Sequence, residues 1–197
     1  MDHNNKRHDC PTVRIIMITL VAAFVSFSSS FGQKRGKDTP PLKERLFFGG
    51  KFGLQFGTIT DIQLSPVVGV WLLPRLAVAA GPDFRFYKDP DNRTNIFGGS
   101  TYLQYHFIKD LNSILAAGIH LGFFLHIEDE LLSLESSFWK DPPYTSDRFY
   151  VNTLLAGGGI SQPMGIRSSL DIMFLWALNE PSYGIYGNPE VRISLIF

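Results

Sequence analysis

His126-Ile127-Glu128 sets an imidazole and a carboxylate two residues apart, with Ser133 and Ser136 close behind. These are the side chains of a serine acyl-transfer site, in which histidine is the base, serine the nucleophile and the acid orients the base. A second grouping is histidine alone: His106, His120 and His126. Three imidazole nitrogens converging at about 2 Å would suit zinc. Gly157-Gly158-Gly159 lacks the lysine and following helix of a phosphate loop. Asp89-Pro90-Asp91-Asn92 has the composition of a calcium loop without its spacing or closing glutamate, and reads as a turn. Whether any of these groups acts depends on the elements that carry them and on the face each side chain occupies.

Those elements show a two-residue period. Phe48, Phe52, Leu54 and Phe56 share one parity, and Gly49, Lys51, Gly53 and Gln55 the other. Alternation of this kind marks a strand with one apolar and one small or polar face. It recurs with Ile62, Leu64, Val68 and Val70 against Asp61, Gln63 and Ser65, then with Val78, Phe84 and Phe86 against Asp83 and Arg85. A fourth run sets Phe97, Leu103, Tyr105 and Phe107 against Ser100, Gln104 and His106, and a fifth sets Leu115, Ile119, Phe123 and Leu125 against His120 and His126. A sixth run, 150–161, loses phase at the triple glycine, where a bulge would shift parity. The seventh sets Leu170, Ile172, Phe174 and Trp176 against Asp171, and the eighth Val191, Ile193, Leu195 and Phe197 against Glu190 and Arg192. Strands of about 10–12 residues are long enough to cross a bilayer when tilted.

Composition narrows the setting. Of 197 residues, 45% are hydrophobic and only 18% charged, with 18 basic and 18 acidic side chains. The chain is too apolar for disorder, and its zero net charge supplies no basic field for nucleic acid. The single cysteine, Cys10, excludes an intrachain disulfide framework and a cysteine-rich zinc site. At the N-terminus, Lys6, Arg7, His8 and Arg14 precede the apolar run 15–27, and small residues follow. This is the plan of a signal peptide over residues 1–32, cleaved after Gly32. Residues 33–44 read as a short periplasmic lead, and 45–197 as one barrel domain.

The connections are expected to alternate in length. The turns at 73–75, 108–112 and 162–167 are short, and the loops 88–95, 128–148 and 179–188 longer, although the first, near 58–61, is tight. Short periplasmic turns and longer external loops are the habit of outer-membrane barrels. The polar face is mostly Gly, Ala, Ser and Gln with isolated charges, whereas a soluble ligand-binding barrel would turn a charge-rich face to water. On this parity Lys51, Asp83, Arg85, His120, Asp171, Glu190 and Arg192 form a polar network in the lumen. Asp171 is expected at the depth of Arg192, and Lys51 against Glu190 or Arg192. His126 faces inward, away from the loop serines, and the three histidines are too spread along their strands for one metal ion. No cofactor is expected.

The export signal, the eight alternating strands and the ending Val191-Arg192-Ile193-Ser194-Leu195-Ile196-Phe197 together resemble the small eight-stranded outer-membrane β-barrel proteins of Gram-negative bacteria, the OmpA-, OmpX- and OmpW-like members of a porin-like superfamily. The resemblance implies an all-β, antiparallel up-and-down transmembrane barrel. It implies outer-membrane lipid and lipopolysaccharide as surroundings, the barrel-assembly machinery as a partner during insertion, and Phe197 as the assembly signal that machinery reads. Such barrels include structural anchors, narrow passages for small solutes and lipid A-modifying enzymes, so fold does not settle function. The His-X-Ser pattern associated with lipid A deacylases is absent. The segment 128–148 carries Leu134, Phe138, Trp139 and Tyr144, an apolar-aromatic set that would dock an envelope partner or fold over the barrel mouth. The reading that results is a non-enzymatic barrel with a structural or interaction role, such as that of an accessory subunit of an envelope complex; the alternatives are a narrow passage, a lipid A-modifying enzyme and a soluble ligand-binding barrel.

Overall fold

A computed structural model describes residues 40–116, 118–165, 167–179 and 184–197. The signal segment and most of the lead lie outside the described residues. A single helical turn, α1 (Leu42–Arg45), precedes eight strands: β1 (Leu46–Gln55), β2 (Thr60–Leu73), β3 (Leu76–Lys88), β4 (Arg93–Ile108), β5 (Gly122–Glu135), β6 (Arg148–Pro163), β7 (Ser169–Ala177) and β8 (Glu190–Ile196). Each pairs antiparallel with its sequence neighbour, and β8 returns to β1, so the sheet is a closed barrel in the order β1 to β8. The seam extends to the last residue, because the Phe197 amide donates to the Phe48 carbonyl at 2.8 Å and the Phe197 carbonyl accepts from the Phe48 amide at 3.1 Å. Closure leaves no strand with an unpaired edge, the state that antiparallel sheets otherwise have to guard against.

Parity follows the sequence pattern. Side chains at odd positions of β1, β2, β3, β6 and β7 and at even positions of β4, β5 and β8 turn into the lumen, and the greasy partners of each alternation are exposed. Two apolar clusters fill parts of the interior. Phe47, Val67, Ala77, Ala79, Tyr102 and Ile196 pack near the end that bears the chain terminus. A larger cluster climbs from Phe124 through Leu132 and Leu134 to Tyr87, Ile185 and Tyr186 at the opposite end.

Three expectations change. The fifth strand does not begin near Leu115. Residues 109–121 form a connection with a 3-10 turn at Leu111–Ser113, where the Asp110 side chain accepts from the Asn112 amide and the Leu111 amide reaches the Leu121 carbonyl. Gly118 sits at φ +71°, a conformation that side chains disfavour. This connection is long, so the turns at the terminal end are not uniformly short. The fifth strand instead runs on to Glu135, so the first eight residues of the expected loop 128–148 are strand; the connection proper is 136–147 and carries a second helical turn, α2 (Ser136–Trp139).

The triple glycine is not a bulge. Gly157, Gly158 and Gly159 pair in continuous register with His126, Leu125 and Phe124 on one side and with Leu175, Phe174 and Met173 on the other. Their absence of side chains serves close packing instead. A Cβ on Gly157 would lie 1.9 Å from the Phe174 carbonyl oxygen, and one on Gly159 2.1 Å from that of Ile172. Those obstacles are backbone and cannot rotate away. Replacing Gly157 by Ala should therefore destabilise the refolded barrel by about 1–3 kcal/mol. Gly50→Ala, where the nearest atom is a Phe52 ring carbon at 3.6 Å, should be close to neutral. Urea titration of the two variants checks the contrast, and equal midpoints would refute it.

Candidate functional site

The feature with chemical content is a layer of charge across the middle of the lumen. Lys51 from β1, Arg85 from β3 and Arg192 from β8 meet Asp61 from β2, Glu128 and Glu130 from β5, and Glu190 from β8, and Asp83 from β3 lies beside the two β5 glutamates. Lys51, Arg192, Glu128 and Glu130 are at most 1% exposed. Lys51 pairs with Glu128 and donates to Ser100 Oγ at 2.9 Å. Arg192 Nη1 lies 2.6 Å from Glu130 Oε1 and 3.1 Å from Glu128 Oε2, while its Nε donates to Glu190 at 2.8 Å. Arg85 reaches Glu190 at 2.8 Å and Asp61 at 3.3 Å. Glu130 also accepts from Tyr186, at 2.8 Å, and from Gln63.

A second polar group lies nearer the terminal end. Gln104 hydrogen-bonds His126 at 3.2 Å and His106 at 3.0 Å and donates to Asp171 at 3.0 Å; Ser161 donates to the other Asp171 oxygen at 2.6 Å. His126 joins the two groups through its 3.1 Å contact with Glu128.

Of the residues expected in the lumen network, Lys51, Asp83, Arg85, Asp171, Glu190 and Arg192 line the lumen. His120 does not. It lies in the 109–121 connection, more than half exposed, 3.0 Å from Asp110. That bond and the Asn112 amide hold the Asp110 carboxyl below its ordinary pKa. Burial, and then the Glu130 carboxylate to which it donates, raise the Tyr186 phenol, in the β7–β8 connection, above its ordinary pKa. The partners also differ. Lys51 meets neither Glu190 nor Arg192 but crosses to Glu128, and Asp171 takes Gln104 and Ser161, because Asp171 pairs with Ser194, two residues along β8 from Arg192. In so narrow a barrel a long side chain reaches the opposite wall.

Glu128, read from sequence as the acid beside His126, and Glu130, not singled out at all, are both missing from the expected lumen network. Their acidic run, Glu128-Asp129-Glu130, resembles a loop. Continuing the inward parity of His126 would have found them, since Glu128, Glu130, Leu132 and Leu134 all follow it. Asp129, between them, faces out and takes Asn152 at 2.9 Å.

The loop residues are redistributed as well. Leu134 is on β5 and wholly buried in the lumen. Phe138 and Trp139 fold back on Tyr87, with ring centroids 5.8 and 5.1 Å away, and close that end of the larger apolar cluster. Tyr144 alone of the set is exposed. The serine-histidine-acid grouping is not assembled: His126 lies in the lumen, while Ser133 and Ser136 are seven and ten residues from it along the chain, roughly 20 Å or more at about 3.3 Å per strand residue. Phe197 is exposed at the seam with β1.

Interior and exterior thus define an inverted barrel, charged within and apolar without. The solved structures include the N-terminal β-barrel domain of Pseudomonas aeruginosa OprF, to which this chain is similar with a TM-score of 0.46 and 11% identity, over 78% of this chain and 98% of that one. No family model and no curated protein matches the chain.

Removing one partner of a buried ion pair strands the other charge, at a cost of about 3–5 kcal/mol. Arg192→Met takes from Glu130 its ion-pair partner and from Glu128 and Glu190 one of two cations each, so it should lower stability by about that amount. Asp129→Asn, on the exposed face of the same strand, should change it by less than about 0.5 kcal/mol. Denaturant midpoints of the refolded variants measure both.

Proposed function

We propose that the chain is a non-enzymatic outer-membrane β-barrel with a structural or interaction role and a closed lumen. One observation carries this reading: the large hydrophobic side chains stand outside and the charges inside. Phe48, Phe52, Leu54, Leu64, Phe97, Leu125, Phe174 and Val191 are each more than a third exposed. In water every such side chain would forgo about 1.5–3 kcal/mol of burial. In hydrocarbon the same face is stable, and the closed sheet meets the demand that no backbone group be left unpaired there. No helix among the described residues is long and apolar enough to cross a membrane, which says nothing of strands. A soluble ligand-binding barrel would need the opposite distribution.

The interior favours a plug over a passage. A cavity of about 440 Å3 opens at the terminal end, lined by Trp71, His106 and Lys109, and one of about 220 Å3 at the opposite end, lined by Asp61, Arg85 and Glu190. The ion-paired layer of Lys51, Glu128 and Arg192 stands between them, and Phe138 and Trp139 cover part of the far end. Residues 128–148 act in this reading as a strand end and a lid, and an envelope partner would meet the exposed rim around Tyr144. Phe197 would present its exposed ring to the assembly machinery at the β1–β8 seam.

Fractionation tests the location. The protein should sediment with the outer membrane and withstand carbonate and high salt; recovery in the soluble periplasmic fraction would sink the proposal. In planar bilayers the refolded barrel should show no steady conductance. Long-lived, uniform single-channel steps would instead establish the passage.

A further inference from the structure

The lumen layer does not balance its charge. With histidine counted neutral, the three cations Lys51, Arg85 and Arg192 face five carboxylates, an excess of two negative charges in the lumen: Asp83, Glu128 and Glu130 are fully buried, while Asp61 and Glu190 border the cavity at the end opposite the terminus. Isolated buried charge is costly enough that such an excess needs a counter-charge. The deficit has an address. Glu128 and Glu130 are each held by protein donors, whereas neither oxygen of Asp83, a residue 1% exposed, has a hydrogen-bond partner among the described residues. Asp83 nevertheless points at the two glutamates. One carboxylate oxygen from each of Asp83, Glu128 and Glu130 lies within 4.8 Å of the others. Water bridging Asp83 to nearby guanidinium protons would quench its lone pairs and leave the net charge where it is.

From this geometry we infer that Asp83, Glu128 and Glu130 bind a calcium ion inside the barrel. An all-oxygen, all-carboxylate donor set selects a hard cation over zinc or copper. Calcium takes oxygens at about 2.3–2.6 Å, so ligands on opposite sides of it stand up to about 5 Å apart. The three carboxylates already fall within that span. Magnesium, at about 2.0–2.1 Å and reluctant to shed water, would require them to close further. One divalent ion cancels the excess of two. The acidic cavity lined by Asp61 and Glu190 at the end opposite the terminus supplies an approach. Lys51, paired with Glu128, is the competing cation, and calcium should displace its ammonium group toward Ser100.

The test uses the full chain refolded from inclusion bodies into detergent, free of lipopolysaccharide and the calcium it carries. After equilibration with calcium chloride and gel filtration, elemental analysis should find about one calcium per barrel. Melting in saturating calcium, about a hundred times the dissociation constant, should be roughly 5–10 °C higher than in chelator. Asp83→Asn should abolish both the bound ion and the calcium-dependent shift, and Lys51→Met should tighten calcium binding. Asp171→Asn, a buried carboxylate outside the cluster, should retain ion and shift. A wild-type barrel with no bound calcium and identical melting in calcium and chelator would overturn the inference, as would Asp83→Asn retaining full stoichiometry. Should Asp83→Asn fail to refold, the wild-type stoichiometry and melting shift decide by themselves. Location in the cell plays no part in the measurement, so failure here leaves the outer-membrane proposal standing.

Discussion

Closure of β8 onto β1 with only eight strands sets the terms for everything inside. The ring pairs every strand on both edges, and it also brings opposite walls within reach of a single lysine or arginine side chain. Lys51 on β1 therefore pairs with Glu128 on β5 rather than with a sheet neighbour, and Arg192 on β8 spans Glu128, Glu130 and Glu190 together. Lys51, Arg192, Glu128 and Glu130 have no water to fall back on. Each ion is tolerable only because the others are in place, so the layer behaves as one unit in which loss of a member exposes the rest.

The arrangement along the barrel axis follows from that dependence. Apolar clusters lie toward both ends, one around Phe47, Ala79 and Tyr102 and one reaching Tyr87, Ile185 and Tyr186. They keep the dielectric low around the ion pairs, which strengthens them and raises the penalty for any imbalance. The lid formed by Phe138 and Trp139 extends the second cluster beyond the strands. Glycine contributes where the wall is tightest: at Gly157 and Gly159 the β7 carbonyls stand where a Cβ would be.

An interior this polar has its counterpart in an exterior of phenylalanine, leucine and isoleucine. Water would favour turning the barrel inside out, and parity forbids it, since a one-residue slip of any strand would drive its charges outward and its aromatics into a lumen too narrow for them. The choice of solvent for the outer face is thus tied to the choice of residues for the inner one. That coupling is the physical basis for the proposal that the barrel sits in lipid.

Much of this was legible in the residues alone. Alternation in strands one to four, seven and eight assigned each side chain to a face, because a pleated strand has a strict period of two and leaves no freedom once one face is greasy. The inward placement of Lys51, Arg85, Asp171 and Arg192 follows from it. Partners and ends did not follow. Leu115 and Ile119 alternate as a strand would, yet the Asp110 cap and the Leu111–Leu121 bond hold them in a turn. The acidic run at Glu128 imitates a loop, yet it lines the lumen because β4 and β6 pair with it on both sides. Which carboxylate meets which cation depends on the stagger of eight strands around a ring. Period-two chemistry is local and written in sequence; the contact between β1 and β5 is decided only when the ring closes and brings residues 77 positions apart to opposite walls of one narrow lumen.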